Sequence, residues 1–188
     1  MKYVIRKVPE RDTVYLERLI PGALIYNDVE HRGAVESFVE AIKIANDDAL
    51  YVQDDMLLCH DFCARAESYI AQHSDTVIVF STTSRISEAG IYPASKGRFL
   101  LCTYIPRAIG KAFVEWYERR EYEALRLPWS YYYDQLDDGF FYCFLEQAKE
   151  NVYVAIPNLA GHPKNTSVIN PNRPVRTCPY FDYEKAAK

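Results

Sequence analysis

Residues 49–62 read ALYVQDDMLLCHDF, an apolar run interrupted by two adjacent carboxylates. The first part, 49–53, is continuous in apolar character and predicts a central, parallel β-strand. Asp54 and Asp55 follow directly where this strand would end. Because burying an unpaired charge is costly, the acidic pair requires a partner. A solvated turn or a helix cap would satisfy it, and so would a divalent cation, since hard cations bind carboxylate oxygens.

Strand and helix patterns alternate along the rest of the chain. Apolar and β-branched runs predict further strands over 2–8, 23–26, 76–80, 99–104 and 152–156. Helical spacing predicts helices over 13–19, 34–45, 61–73, 106–120 and 138–149, with Asp61 as an N-cap and irregular segments over 81–96 and 121–133. This alternation predicts an α/β fold with a mostly parallel central sheet.

Length and composition are those of an ordinary globular domain. The 188 residues suit one domain over 1–170, followed by a proline-rich, extended tail over 171–188. The net charge of −4 does not favour a polyanion as the general partner, although the acid-free stretches 96–111 and 162–181 could meet phosphate groups. No signal peptide is evident, and no apolar run reaches the ~18 residues of a membrane span. Five cysteines without a paired motif favour the cytoplasm.

Polar residues follow three of the predicted strands. They are Val8-Pro9 with Arg11, Asn27-Asp28, and Asp54-Asp55. In parallel sheets ligands bind outside the carboxyl ends of the strands, so these residues are expected to face one crevice. The chain has seven glycines and no glycine-rich phosphate loop, so a bound diphosphate would need a cation and side chains to hold it. Cys59, His60, Cys63 and His73 match no usual zinc spacing.

Five short motifs occur in a fixed order between residues 2 and 169. They are Val8-Pro9-Glu10-Arg11, the segment YNDVEHRG at 26–33, Val52-Gln53-Asp54-Asp55, Asp137-Asp138-Gly139, and the segment VAIPNLAGH at 154–162. Together they resemble the motifs of small GT-A type glycosyltransferases of phage and bacterial genomes. The third resembles the family's DxD metal motif, except that Gln53 stands in place of the first aspartate. The resemblance implies a GT-A-like, Rossmann-type α/β/α sandwich.

The resemblance also implies a role for each group of residues. Asp55, Asp54 and His162 would bind Mn²⁺ or Mg²⁺, and Asp138 or Asp137 would be the general base. The nucleotide-sugar donor would contact Val8, Pro9, Arg11, Asp28, Gln53, Asp54 and Lys164, and the acceptor would contact Trp129, Tyr131 and Tyr132. Simpler interpretations stay open for these residues: a surface histidine, a helix N-cap, a surface ion pair and ordinary aromatic packing.

The function expected from the resemblance is metal-dependent transfer of a sugar from a nucleotide diphosphate, with UDP as the expected nucleotide, to a hydroxyl group. The acceptor would be a carbohydrate, a small molecule, a protein or a hydroxymethylated base of phage DNA, in the last case within the host cytoplasm. One alternative is a sugar nucleotidyltransferase, but that class has a glycine-rich loop where Pro9-Glu10-Arg11 stands here. Another is a non-catalytic nucleotide-sugar-binding domain, which would bind without turnover.

Overall fold

A computed structural model describes residues 1–82, 86–96, 100–125, 137–163 and 178–186. The strands are β1 (Lys2–Lys7), β2 (Leu24–Asn27), β3 (Ala49–Gln53), β4 (Leu57–Leu58), β5 (Val77–Val79), β6 (Gly90–Pro93), β7 (Cys102–Ile105), β8 (Asn151–Val154) and β9 (Ala160–Gly161). The α-helices are α1 (Val14–Leu19), α2 (Ala34–Ala45), α3 (Phe62–Gln72), α4 (Arg107–Glu118) and α5 (Asp137–Gln147). Short 3-10 helices cover Ala94–Lys96, Glu121–Ala124 and Tyr183–Lys185.

The central sheet is mixed, and five of its seven described strands run in the same direction. Within the described residues it has seven strands in the order β2-β1-β3-β7-β5-β8-β6. Strand β1 is parallel to β2 and β3, and β5 is parallel to β8, but β7 runs antiparallel between β3 and β5, and β6 is antiparallel to β8. The predicted α/β class with a mostly parallel sheet is therefore confirmed, and the two reversed strands, β6 and β7, are what the sequence did not indicate. A strand buried on both faces has the same apolar composition in either direction, so its sequence does not encode that direction.

Helices cover both faces of this sheet, which gives three layers. On one face α2, α4 and α5 pack an aromatic cluster around Phe38, Phe113 and Phe141, all three without exposed surface. On the other face α1, α3 and residues 178–186 pack against β3, β5 and β7. The burial of both sheet faces explains why 49–53 is continuously apolar.

Several local features differ from the sequence prediction. Residues 90–93, predicted as part of a loop, form the edge strand β6, and β4 and β9 form a separate two-stranded sheet. Asp61 directly precedes α3, as predicted, but its side chain makes no capping hydrogen bond. The described part of the predicted tail, 178–186, packs on the domain, with Cys178 and Phe181 buried. Strands this short carry too few residues for a periodic signal, and tail packing depends on contacts distant in sequence.

All five cysteines lie within the described residues and none forms a disulfide. No helix in the described ranges is both long and apolar enough to cross a membrane.

Candidate functional site

The carboxyl ends of β1 and β3 lie side by side and bring the acidic pair next to the residues that follow β1. The two strands are parallel, with Arg6 in register with Gln53. Just beyond this pairing, the Oδ2 atom of Asp54 accepts a hydrogen bond from the backbone N–H of Val8 at 3.2 Å. The strand ends thus bring Asp54 next to the backbone of the Val8-Pro9 segment.

The small sheet brings His162 to the same place. Asp55 lies two residues before β4, and His162 directly follows β9. These two strands pair antiparallel with Leu57 opposite Gly161. The segment before Leu57, which contains Asp55, therefore lies next to His162, the residue after Gly161. The Nε2 atom of His162 is 3.2 Å from Oδ2 of Asp55. A two-residue pairing therefore joins the third and fifth sequence motifs, which are about a hundred residues apart.

The hydrogen bonds of His162 fix which ring nitrogen faces the acidic pair. Its Nδ1 atom lies 2.9 Å from the carbonyl oxygen of Pro163. Since a carbonyl only accepts, Nδ1 carries a proton and Nε2 is directed at Asp55. A ring N–H bound to a backbone carbonyl is also the usual second contact of a metal-ligating histidine. The other carboxylate atom of Asp55, Oδ1, is buried and has no hydrogen-bond partner among the described residues.

This donor set fits a hard divalent cation. Ligand bonds of about 2.1 Å at right angles place neighbouring donor atoms about 3 Å apart, close to the Nε2–Oδ2 separation in this site. Within the described residues no group of three or more histidine, cysteine, aspartate or glutamate side chains is arranged to bind a metal. Mg²⁺-type ions commonly take only one or two protein ligands and complete their shell with water and phosphate oxygens.

The two carboxylates differ in their electrostatic environment. Burial raises the pKa of Asp54, although the Val8 N–H bond and the Arg11 charge act in the opposite direction. For Asp55, burial also acts to raise the pKa, but the hydrogen bond and charge of His162, with Arg11, outweigh it and lower the pKa. The Nη1 atom of Arg11 lies 3.8 Å from Oδ2 of Asp55. Burial therefore disfavours the charged form of Asp54, and a cation bound nearby would offset that cost.

We expect Asp54→Asn to stabilise the protein in the absence of metal. A raised folded-state pKa means that Asp54 contributes its full stability below its unfolded pKa of about 3.8 and loses it as the pH rises through the folded value. Asparagine keeps an acceptor for Val8 but has no charge to bury. The melting temperature in EDTA should exceed that of the wild type at pH 7, and the difference should disappear toward pH 4. Asp75→Asn, at an exposed site, serves as the control. An equal pH-dependent rise in its melting temperature would show that the burial of Asp54 is not the cause.

A buried ion pair connects the end of β1 to the first turn of α5. The Nη1 atom of Arg6 is 2.7 Å from Oδ2 of Asp137, and both side chains are more than nine-tenths buried. Nη2 of Arg6 donates to the carbonyl oxygen of Ala34 at 3.2 Å, and the guanidinium carbon lies 4.6 Å from the ring centre of Phe38. Arg6 is also close enough to Asp54 to act on its pKa. The structure therefore brings α5 to the edge of the sheet where the acidic pair lies.

The ion pair separates the two candidate bases. Asp137 is held by Arg6, and its Oδ1 atom accepts the backbone N–H of Asp138 at 2.9 Å. Asp138 is only partly buried, and its Oδ1 atom accepts the N–H of Gly139 at 2.8 Å. A carboxylate enclosed by a guanidinium is poorly placed to take a proton from an acceptor, whereas a partly exposed neighbour on the same helical turn can be reached.

The loop after β2 contributes a second buried carboxylate. Asp28 is 3% exposed. Its Oδ1 atom is 3.5 Å from Nη1 of Arg32, an ion-pair distance, yet that oxygen makes no hydrogen bond among the described residues. The same loop approaches the segment after β1, since Nε2 of His31 is 3.3 Å from a carboxylate oxygen of Glu10. The Asn27-Asp28 segment and the Val8–Arg11 segment are thus neighbours, as expected from adjacent parallel strands.

This fold is similar to that of one protein of known structure. The solved structure, entitled "Crystal Structure of A197 from STIV", aligns over 86% of this chain and 85% of its own, with a TM-score of 0.54 and 12% sequence identity. At that identity the likeness concerns the fold alone. No protein-family model matches the chain, and no curated protein shows a significant match.

Other sequence-predicted site residues fall in different places. Trp129, Tyr131, Tyr132 and Lys164 lie outside the described residues. Gln53 is partly buried at the end of β3, and Pro9 is exposed in the turn after β1. Sequence reasoning did not single out Arg6, although a cation within the strand KYVIRK, next to buried Val4 and Ile5, was a signal that a buried anion would be needed.

Proposed function

We propose that this protein is a metal-dependent glycosyltransferase that moves a sugar from a nucleoside diphosphate, preferentially UDP, to an acceptor hydroxyl. One observation carries the proposal. It is the 3.2 Å separation of Asp55 Oδ2 and His162 Nε2, with Nδ1 of the histidine bound to a backbone carbonyl and Oδ1 of Asp55 without a hydrogen bond to any described residue. Their position at the carboxyl ends of β1 and β3 is where nucleotides bind on open α/β sheets.

Asp55 and His162 would hold Mn²⁺ or Mg²⁺, with Asp54 next to them. A cation would take the place of the proton between Nε2 of His162 and Asp55, and neutral imidazole together with carboxylate favours Mn²⁺ over Mg²⁺. A cation bound there would neutralise the negative charge that develops on the diphosphate leaving group. Arg11, which is 31% exposed and 3.8 Å from Asp55, is placed to add a second positive charge for diphosphate oxygens.

The remaining residues have separate tasks in this proposal. Asp28, buried at the end of β2, would accept hydrogen bonds from N–H or O–H groups of the nucleoside, because its Oδ1 atom has no hydrogen-bond donor in the described structure. Asp138 would act as the general base that takes the proton from the acceptor hydroxyl as its oxygen attacks the anomeric carbon. Asp137 would hold the helix in place through Arg6.

The described part of the basic stretch 96–111 gives little support to DNA as the acceptor. Nη2 of Arg107 donates to the side-chain oxygen of Asn46 at 3.3 Å, and Nζ of Lys111 is 3.8 Å from Glu115. Cations that already contact polar or acidic neighbours on the same surface provide less of the positive field that phosphate binding requires. A hydroxyl of a carbohydrate or a small molecule is therefore the acceptor to test first.

The proposal is tested by UDP release from a panel of UDP-sugars with Mn²⁺, using water and simple sugars as acceptors. The wild type should release UDP, and Asp138→Asn should bind Mn²⁺ and UDP equally well but release UDP at least about 100-fold more slowly, since it lacks the base. Asp47→Asn is a matched control, because Oδ1 of Asp47 also accepts the N–H of the following residue at 2.8 Å.

Each outcome separates the alternatives. Binding of Mn²⁺ and UDP without release from any UDP-sugar would favour the non-catalytic nucleotide-sugar-binding domain. Full activity of Asp138→Asn would remove that residue as the base. Absence of any Mn²⁺-dependent nucleotide binding would refute the proposed site as a whole.

A further inference from the structure

The C-terminal segment 178–186 contacts the backbone directly behind His162. The hydroxyl group of Tyr183 donates a hydrogen bond to the carbonyl oxygen of His162 at 3.0 Å. The same hydroxyl accepts the backbone N–H of Cys178 at 3.1 Å. One side chain thus connects both ends of a turn in the C-terminal segment to the histidine that faces Asp55.

A ring contact beside this hydrogen bond restricts the same backbone. Phe181 is 4% exposed, and its ring occupies the space that a β-carbon of Gly161, the residue before His162, would fill. A β-carbon at position 161 would lie 2.6 Å from Cγ of Phe181, so only glycine permits this approach. The rings of Phe181 and Tyr183 meet edge to face with centroids 5.0 Å apart. The two aromatic residues therefore form one packed unit behind 161–162.

The segment itself is tied to the rest of the domain at three points. The N–H of Asn158 donates to the carbonyl oxygen of Tyr180 at 3.0 Å, and Ala186 forms an antiparallel bridge with Cys59. Sγ of Cys178 is 3.2 Å from the hydroxyl of Ser81, and both side chains are buried. A segment anchored in this way keeps a fixed position on the domain, so it can hold the backbone of His162 in place.

We infer that residues 178–186 position His162 for cation binding, with Tyr183 as the positioning residue. This inference rests on the proposed function, because it assumes that Asp55 and His162 hold a metal. Metal ligands need their orientation fixed by surrounding hydrogen bonds, and loss of such a contact typically weakens metal affinity by about 10–100-fold. Nδ1 of His162 is fixed by Pro163, and Tyr183 fixes the carbonyl of the same residue, so together they set the direction of Nε2.

The test is the Mn²⁺ affinity of full-length Tyr183→Phe in the presence of UDP. Electron paramagnetic resonance measures the free Mn²⁺ that remains at each concentration. Phenylalanine keeps the ring contact with Phe181 and removes only the hydroxyl. The matched control is Tyr104→Phe, which deletes a hydroxyl that donates to the carbonyl of Ser74 at 2.8 Å. Ser74 precedes β5. Because β3 and β5 both run antiparallel to β7, they run in the same direction, and Ser74 lies at the end of the strands opposite to Asp55. Each variant loses a hydrogen bond to a backbone carbonyl, and Tyr183→Phe also loses the bond from the Cys178 N–H. The melting temperature should therefore fall by about 2–4 °C in Tyr104→Phe and by about 4–8 °C in Tyr183→Phe.

We expect the Mn²⁺ affinity of Tyr183→Phe to fall about 10–100-fold and that of Tyr104→Phe to stay unchanged. Equal affinity in Tyr183→Phe and the wild type would overturn the positioning role while leaving the proposed function intact. An equal loss in both variants would show that general destabilisation is responsible, which also overturns the role of Tyr183. Failure of the wild type to bind Mn²⁺ with UDP would overturn the proposed metal site, and this inference with it.

Discussion

Asp55→Asn is expected to abolish the stabilisation of the protein by UDP and Mn²⁺. A ligand at about 100 times its Kd adds about 2.7 kcal/mol to the free energy of unfolding, which raises the melting temperature of a chain of this length by roughly 5–10 °C. The wild type should show this rise, and EDTA should remove it. Asparagine is a neutral and much weaker ligand than a carboxylate, so the Mn²⁺ affinity should fall by at least about 100-fold and the rise should vanish.

The structure explains why Asp55 and not Asp54 should have this effect. Oδ2 of Asp55 faces His162, and its Oδ1 atom is buried without a hydrogen bond in the described part of the chain. Oδ2 of Asp54 is already used by the Val8 N–H. Asp75→Asn is the control. Asp75 is exposed and precedes β5, so it lies at the end of the strands opposite to Asp55. If Asp55→Asn were stabilised by UDP and Mn²⁺ as much as the wild type, Asp55 would not be a metal ligand.

Arg6→Met is expected to have the largest effect on stability. Removing one partner of a buried ion pair leaves the other charge without compensation and typically costs about 3–5 kcal/mol. For a chain of this length that corresponds to a fall in melting temperature of roughly 6–20 °C. The pair is 2.7 Å long and both side chains are more than nine-tenths buried, so solvent cannot replace the lost guanidinium. Thermal unfolding followed by circular dichroism measures the effect.

Two further variants show whether the cost comes from the stranded charge. Arg6→Met with Asp137→Leu removes both charges, and replacing a buried pair with apolar residues is often neutral, so most of the lost stability should return. Arg119→Met makes the same change at an exposed pair with Glu115, where the effect should stay within about 0.5 kcal/mol. A double variant as unstable as Arg6→Met would show that the shape of the arginine, and not its charge, is what the core requires.

The positions of the strand ends could be predicted from the sequence because the responsible signals are local. An apolar run of five residues followed by two carboxylates is enough to place β3 and the acidic pair after it. Helix α2 was predicted with its observed bounds, since Val35, Phe38, Val39 and Ile42 recur at helical spacing and Gly33 and Asn46 flank them.

The partners of those residues could not be predicted in the same way. The direction of β7 depends on neighbouring strands, and a strand buried on both faces carries no sign of its direction. The pairing of β4 with β9 involves two residues in each strand, too few for any pattern, yet it brings Asp55 to His162. The packing of residues 178–186 likewise depends on contacts with distant segments such as Ser81 and Gly161.

Residue types and strand boundaries are local properties, so the amino-acid sequence is enough to find the carboxylates and the imidazole that could bind a cation or move a proton. Which of these groups lie next to each other depends on the tertiary fold. It enclosed Asp137 with Arg6, left Asp138 partly exposed, and set His162 against Asp55 with Tyr183 behind it. Burial, ion pairing and hydrogen-bond direction arise between residues far apart in the chain, and these properties set the pKa and the ligand capacity of a carboxylate or an imidazole.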